Sequence, residues 1–392
     1  MTVWIINPFD NLPTEGYRPQ RYWMMAEAFA AAGHETTLWT QNWSHAKKSR
    51  REEIPSGSSF VLKYVRVPGY SRNICFKRIW SHWRFAANWA TESMLAGEVP
   101  DLVIVSSPPL LAGRAVRRFC ARTGAKYIVD IMDAWPETFE RVLPRWALLP
   151  MRLVAKGNYL AAHGISAVTK SYLSLAAGYG AGCPMLLCHH GIRIPAGSGP
   201  ERKREAPDLD RIRLAYAGNM SLSYDLATVI DAVKEDSALS IDLAGSGPDE
   251  PSLRARAGDC PRIRFHGYLD DAGLRSMLAK ADVGVVPMFD ESCVGVPYKL
   301  ADYAAAGLPV VSSLHGETAE LIEECAAGIT YAARDPAAFS SAVRRASAIG
   351  SGGMRLAQRF DADRLYLEYV EFACETAMRP NRGDARHGQA LI

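Results

Sequence analysis

Short apolar runs recur along this chain, and they come in two separate series. Val3–Ile6, Glu35–Thr40, Asp101–Val105, Ala125–Ile131, Ser166–Thr169 and Met185–Cys188 form the first. Arg213–Ala217, Leu239–Ala244, Ile263–Gly267, Val283–Pro287 and Val310–Val311 form the second. A run without polar alternation suits a strand covered on both faces, which is a strand of a parallel sheet. Stretches of helical spacing separate the runs, among them Tyr22–Ala32, Ala227–Val233 and Asp271–Lys280. Alternating strand and helix leaves few topologies besides a doubly wound α/β sheet, here formed twice. The segment 195–207 is rich in Pro, Gly and charge and divides the two series. The expected architecture is therefore two doubly wound, Rossmann-like domains facing a cleft, residues 1–194 and 208–361, with 195–207 as linker. A helix at about 362–378 is expected to return to the first domain, and the polar tail 379–392 to be loose.

At 392 residues the length suits two ordinary domains. No apolar run approaches the ~20 residues of a membrane span. The opening stretch, Met1–Pro8, has no basic lead, so no secretory signal is expected. The eight cysteines contain no C-x-x-C pair, which fits reduced thiols in cytoplasm. Cys183, Cys188, His189 and His190 cluster, but one group without a second half is weak evidence for zinc. Charge is uneven: residues 1–190 hold 22 Lys/Arg against 13 Asp/Glu, and residues 191–392 hold 23 against 29. A basic first half implies an anionic partner, or simply differing domain surfaces. No recognisable reading motif supports nucleic acid.

The most informative stretch is Val296–Val311. A loop with Pro297 leads into about ten helix-favouring residues, Gly307 can stop that helix at a left-handed cap, and Val310–Val311 resumes a strand. A helix beginning at a loop aims unpaired N–H groups and a positive dipole end outward, which suits an anion. Lys299 and Asp302 both lie near that end. The cation suits a diphosphate and the carboxylate suits ribose hydroxyls; a surface Lys–Asp pair on an ordinary crossover helix is the alternative. In the first half, Gly16 and Arg18, with Arg21, stand beside a helix start and could hold an anion, or lie solvated in a loop. Asp130, Asp133 and Glu137 gather at a strand's C-terminal end, where they could serve substrate hydroxyls or cap the next helix. G-x-G-x-x-G is missing after the first strand, so a standard dinucleotide site is not supported. Phe76, Ile79, Trp80 and Trp83 fall on one helical face flanked by Lys77, Arg78 and Arg84. Such a face either sits on anionic lipid, through residues 72–85, or packs on its own sheet. Arg141–Lys156 has similar content.

Together these residues resemble a family. Gly245–Pro248, Phe265–Gly267, Ala281–Pro287, Asp302–Val311 and Gly316–Glu320 follow the order and spacing of the second domain of GT-B glycosyltransferases, the retaining class often called family four. Tyr17–Tyr22, Ala30–His34, Asp130–Glu137 and Ser223–Leu226 resemble its bacterial surface-polysaccharide subgroup. The resemblance implies a hexosyltransferase of the retaining type, working at the cell envelope in polysaccharide or lipopolysaccharide synthesis. It would move a sugar from a nucleotide-diphosphate donor, a UDP-sugar foremost, to a lipid-linked or glycan acceptor. It implies no cofactor and no metal, the nucleotide sugar being a substrate, and a cytoplasmic site of action, peripheral on the inner face of the plasma membrane. The donor would lie against Gly218, Asn219, Ser221, Gly245, Gly267, Gly295, Lys299 and Asp302. The family's second glutamate falls on Asp302. Its first falls on Val294, and Glu291, three residues earlier, would stand in for it. Asp133 would orient the acceptor hydroxyl, and Gly16 and Arg18 would line the diphosphate and acceptor loop. A sugar-nucleotide epimerase on the same fold, or a non-catalytic nucleotide-sugar or membrane-binding module, are the other readings.

Overall fold

The computed structural model describes residues 1–51, 58–72, 75–194, 208–289, 294–349 and 352–380. Glu291, the segment 195–207 and most of the C-terminal tail lie outside the described residues. The chain divides into two compact units, Met1–Cys188 with Arg364–Ile392, and His189–Asp363.

In the first unit, seven strands form one parallel sheet. They are β1 (Thr2–Ile6), β2 (Glu35–Gln41), β5 (Val61–Val65), β6 (Leu102–Ser107), β7 (Lys126–Ile131), β8 (Gly164–Ala167) and β9 (Met185–Leu187), in the order β5-β2-β1-β6-β7-β8-β9. A small antiparallel pair, β3 (Trp43–Ser44) and β4 (Ser49–Arg50), stands apart. Helices α1 (Arg21–Ala31), α2 (Phe76–Leu95), α3 (Leu110–Thr123), α4 (Leu149–Ala161) and α5 (Lys170–Gly178) belong to this unit. β6 and β7 are buried at every position, as a continuous apolar run requires when helices cover both faces. β5 escaped the sequence reading because it is an edge strand with three of its five residues outside the core and no unbroken apolar run. Thr169 is not strand. Its hydroxyl accepts the Tyr172 amide and caps α5, so the expected strand ends two residues early.

One buried ion pair ties this unit together. Arg21 opens α1, and its Nε and Nη2 donate to the two oxygens of Asp130, each at 2.8 Å. Tyr22 and Ser166 hydroxyls also donate to that carboxylate, both at 2.7 Å. Arg21 Nη1 donates to the Cys188 carbonyl at 3.0 Å. The last helix, α13 (Ala362–Met378), joins the network where the Tyr369 hydroxyl meets Ser166 at 2.8 Å. Tyr366 and Tyr369 rings both face the guanidinium at 5.9 Å. Gly164 lets α13 lie this close, since a Cβ there would come within 3.1 Å of Phe372 and Thr376. The sequence reading offered Arg21 as an anion-binding residue and Asp130 as a carboxylate for substrate. The structure corrects both, because each is fully committed to the other inside the core.

The second unit has six parallel strands, β10 (Ile212–Ala217), β11 (Leu239–Ala244), β12 (Ile263–Gly267), β13 (Val283–Val286), β14 (Val310–Ser312) and β15 (Gly328–Thr330), in the order β12-β11-β10-β13-β14-β15. Its helices are α6 (Leu226–Glu235), α7 (Glu250–Ala257), α8 (Asp271–Lys280), α9 (Tyr298–Ala305), α10 (Glu317–Glu324), α11 (Pro336–Ser347) and α12 (Gly352–Arg359). Each sheet reverses strand order beside its first strand, at β1/β6 and at β10/β13. In open α/β sheets ligands bind outside the carboxyl ends of the strands at such a reversal.

Burial by itself would raise the Asp130 carboxyl, but the Arg21 charge and the hydrogen bonds from Arg21, Ser166 and Tyr22 hold it below the ordinary carboxylate value. A depressed carboxylate contributes stability above its unfolded pKa and loses it as pH falls through the folded one. Asp130→Asn should therefore cost about 3–5 kcal/mol at neutral pH, because it leaves a buried guanidinium uncompensated. Urea unfolding of the two proteins at neutral and acid pH measures this. The gap should close toward low pH, and a loss below ~1 kcal/mol at neutral pH would place the pair among interactions of surface strength.

Candidate functional site

The β10/β13 reversal is built by a tyrosine on a glycine. Tyr303 lies on α9, and its hydroxyl accepts the Ala217 amide of β10 at 2.9 Å and donates to the Val285 carbonyl of β13 at 3.1 Å. A Cβ at Gly284 would sit 2.5 Å from the Tyr303 ring, so only glycine leaves room. This contact pins α9 across the point where strand order turns. The helix ends as its sequence implied. Gly307 takes φ +68°, and the Leu308 amide donates to the Tyr303 carbonyl at 2.9 Å, a left-handed C-terminal cap. The helix itself is eight residues, slightly shorter than expected.

Lys299 lies one turn before Tyr303 on the same side of α9. It is 6% exposed. Its Nζ lies 4.0 Å from the ring centroid of Tyr216 and 3.8 Å from that of Tyr224, and it has no hydrogen-bond partner among the described residues. The two rings meet edge to face at 5.8 Å. Burial drives the ammonium well below the ordinary lysine value, and the Asp302 charge offsets only part of that. A buried lysine amine beside two aromatic rings, with no hydrogen-bond acceptor among the described residues, has the chemistry of an anion-binding group.

The opposite wall is backbone. Gly218, at φ +146°, approaches so closely that a Cβ would stand 3.0 Å from Lys299 Nζ. A Cβ on Gly245 would strike the Gly218 carbonyl at 1.9 Å. The Met220 amide donates to the Ser246 carbonyl at 3.0 Å, and the Asp249 amide to the Met220 carbonyl at 3.1 Å. The loops after β10 and β11 are thus laced together. Asn219 is exposed there, and its carbonyl accepts the Tyr216 hydroxyl. Ser221 is half-buried and its carbonyl closes the turn to Tyr224 at 2.9 Å. The Gly245 amide donates to the Gly267 carbonyl at 2.6 Å, which brings the end of β12 to the same edge. Gly295 accepts the Thr318 hydroxyl at 2.6 Å, and Asp302 is buried three residues beyond Lys299. The structure therefore gathers Gly218, Asn219, Ser221, Gly245, Gly267 and Lys299 at the carboxyl edge of one sheet, with Gly295 and Asp302 flanking Lys299 in sequence. Val294 packs against the apolar core, as its side chain dictates. Tyr216 and Tyr224 shape the lysine's surroundings; Tyr216 belongs to no motif, and Tyr224 lies in the Ser223–Leu226 stretch, which by itself gave it no role. Only the fold shows that residues 216, 224 and 299 converge.

In the first unit, Gly16 ends a 3-10 turn at φ +84° and is exposed, and Arg18 is half-buried nearby. Asp133 holds the turn after β7. Oδ1 accepts the Ala134 amide at 2.8 Å and the Thr138 hydroxyl at 3.1 Å, and Oδ2 accepts Trp135 Nε1 at 3.0 Å. Burial raises its carboxyl despite those bonds. Asp133 thus ties down its own turn, and it does not cap the following 3-10 helix at Glu137–Arg141, whose amides bond to backbone carbonyls instead. Phe9, His82 and Trp135 also meet at this edge, with ring centroids 5.1 and 6.1 Å from His82. Burial pushes the His82 imidazole down to about 3, with Arg78 adding to the effect. These rings come from three separate segments, so no sequence spacing could reveal them.

Two parallel-sheet Rossmann-like units of this order are the GT-B glycosyltransferase fold. Residues 19–182 match the glycosyl transferase 4-like domain, and residues 211–348 match glycosyl transferases group 1. The chain carries these two glycosyltransferase-family domains in that order. Sucrose-phosphate synthase from Thermosynechococcus elongatus is similar in structure, with a TM-score of 0.73 at 14% identity over 95% of this chain and 98% of that one. Anabaena HepE, solved in complex with UDP and glucose, aligns with a TM-score of 0.66 at 12% identity over 96% and 100%. WaaG, a glycosyltransferase involved in lipopolysaccharide biosynthesis, aligns with a TM-score of 0.63 at 14% identity over 95% and 99%. By sequence, glycogen synthase of Mycobacterium tuberculosis is 31% identical over 140 residues, and the match spans 33% of this chain and 33% of that relative.

Lys299→Met removes a buried ammonium without a hydrogen-bond partner and keeps its volume. The ligand-free variant should be as stable as the parent or more so, while stabilisation by inorganic pyrophosphate disappears. Thermal melts with and without pyrophosphate test both. Binding to the parent should also take up protons, since an anion restores the charge that burial suppresses. Calorimetry in buffers of different ionisation enthalpy reads that uptake directly.

Proposed function

We propose that this protein is a glycosyltransferase that moves a sugar from a nucleotide-diphosphate donor, a UDP-sugar foremost, to a lipid-linked or polysaccharide acceptor in bacterial cell-surface glycan synthesis. The observation that carries the reading is Lys299, buried, with no hydrogen-bond partner among the described residues, and close against the Gly218 backbone at the β10/β13 reversal. HepE, similar in fold, is known in complex with UDP and glucose, and WaaG is involved in lipopolysaccharide biosynthesis, which supports the donor and acceptor classes.

Charge develops on the nucleoside diphosphate as its bond to the sugar breaks. Lys299, the first N–H groups of α9 and the helix dipole meet that charge in a site with little water, where a fixed cation is worth far more than in solution. The same arrangement lets the transfer proceed without a metal or cofactor. Asp302 holds the ribose hydroxyls. The configuration at the sugar carbon is retained, with the acceptor hydroxyl attacking from the face that the diphosphate leaves and the departing phosphate oxygen taking its proton. Asp133 Oδ2 accepts one hydrogen bond and keeps a lone pair, which can receive an acceptor hydroxyl. Glu291 contacts the donor sugar in this reading, and Gly16 and Arg18 line the acceptor side. The enzyme works in the cytoplasm, peripheral to the inner face of the plasma membrane, where nucleotide sugars meet lipid-borne acceptors.

Calorimetric titration with UDP, GDP, TDP and CDP should select one nucleotide, and Asp302→Ala should weaken it by roughly tenfold or more, ~1.4 kcal/mol. With the matching nucleotide sugar, release of nucleotide should depend on an added membrane-lipid extract. Isomerised sugar without acceptor would identify an epimerase instead. A folded protein that binds none of the four would overturn the transferase reading.

A further inference from the structure

Helix α2 has two faces of opposite character. Ser81, His82, Phe85 and Trp89 are buried. Phe76, Ile79, Trp80 and Trp83 point away from the core, with Phe76 89% exposed and Trp80 and Trp83 about half exposed, at 54% and 51%. The aromatic face is therefore not the one that packs on the sheet, which corrects the packing reading. A second stretch behaves alike. Val142 and Trp146 are 76% and 78% exposed, and Leu149 and Leu153 on α4 are exposed too.

The two stretches are neighbours. α3 packs against both α2 and α4. From α2, the His82 ring lies 6.1 Å from Trp135, whose ring lies 4.8 Å from Phe139, and the Phe139 carbonyl accepts the Leu143 amide at 2.8 Å. That chain of contacts leads from the first turns of α2 to the Val142–Trp146 loop. The bases belong to the same stretches. Lys77, Arg141, Arg145 and Lys156 are exposed, and the Arg84 guanidinium lies over the Trp83 ring at 5.9 Å. No Asp or Glu occurs between Cys75 and Trp89, or between Arg141 and Leu187, and Glu140, which borders the second stretch, is paired with Arg145 at 3.6 Å and with Arg152.

We propose that these two stretches form one docking face that seats the first unit on an anionic bilayer. Tryptophan and phenylalanine rings enter the headgroup region, and lysine and arginine meet lipid phosphates. Interleaved aromatic and basic side chains suit that boundary, where one end of the side chain is wet and the other is not. A second copy of the chain is the poorer occupant. A two-fold contact would set this basic face against itself, like charge on like. The proposal extends the transferase reading by naming the surface at which a lipid-borne acceptor is met, and it stands on residues far in sequence from Lys299.

Sedimentation with vesicles of phosphatidylcholine, with and without phosphatidylglycerol, tests it. The full chain should bind the phosphatidylglycerol vesicles, bind pure phosphatidylcholine less, and release as salt rises. Trp80→Glu with Trp83→Glu, and separately Trp146→Glu, should each weaken vesicle binding by on the order of tenfold. Melting temperature and UDP binding should not change in either variant, which separates failure of this surface from failure of the donor site. Equal binding by parent and both variants, or no binding by the parent, would overturn the proposal. So would light scattering that shows a dimer which Trp146→Glu dissociates, since that would assign the face to a second copy.

Discussion

A side chain missing at Gly284 sets the geometry on which the second unit's site depends. Because nothing projects from that position of β13, the Tyr303 ring can lie flat on the strand and bond both β10 and β13 through one hydroxyl. Parallel strands beside a reversal of order leave a gap at their carboxyl ends, and a helix bound to both of them is held over that gap. Lys299 inherits its position from this contact, one helical turn away. The lysine then has tyrosine faces behind it and glycine backbone before it. A Cβ at Gly218 would crowd the lysine's Nζ, and one at Gly245 would strike the Gly218 carbonyl, so glycine at both positions keeps the backbone close.

The first unit solves a different problem by similar means. Its sheet must hold a helix that comes from the far end of the chain. The Arg21–Asp130 pair does this by recruiting Ser166, whose hydroxyl reaches Tyr369 on α13, while Arg21 itself lies under two α13 rings. A buried charge pair contributes little net energy compared with apolar packing, but removing one partner is costly. Such a pair selects one arrangement of helices over others that would bury similar area. The same helix covers the Cys188 end of the sheet, so the boundary between the units coincides with the end of this network.

Much of the fold was legible because parallel sheets write themselves as unbroken apolar runs. β6, β7, β10 and β11 stand where such runs stand. The edge strand β5 was hidden, since an edge covered on one face has no such signature, and Thr169 read as strand although its hydroxyl was needed as a cap. At the site, the end of α9 at Gly307 and the placing of Lys299 near the helix start followed from local chemistry. Arg21 and Asp130 misled the reading for a physical reason. An arginine at a helix start and an aspartate at a strand end have the same local signature whether they face a ligand or each other, and they lie 109 residues apart.

What the sequence determined by itself is what depends on near neighbours. The alternation of strand and helix, its two series, the cap at Gly307 and the amphipathic spacing of Phe76–Trp83 all belong to this class. Tertiary structure decided what depends on distant partners. It made Arg21 structural rather than functional, turned the aromatic face of α2 outward, and closed Tyr216, Tyr224 and Gly218 around Lys299. The reason lies in burial. Whether a charge is solvated, paired or left without a partner is a property of its surroundings in space, and those surroundings are assembled from segments that the chain keeps far apart.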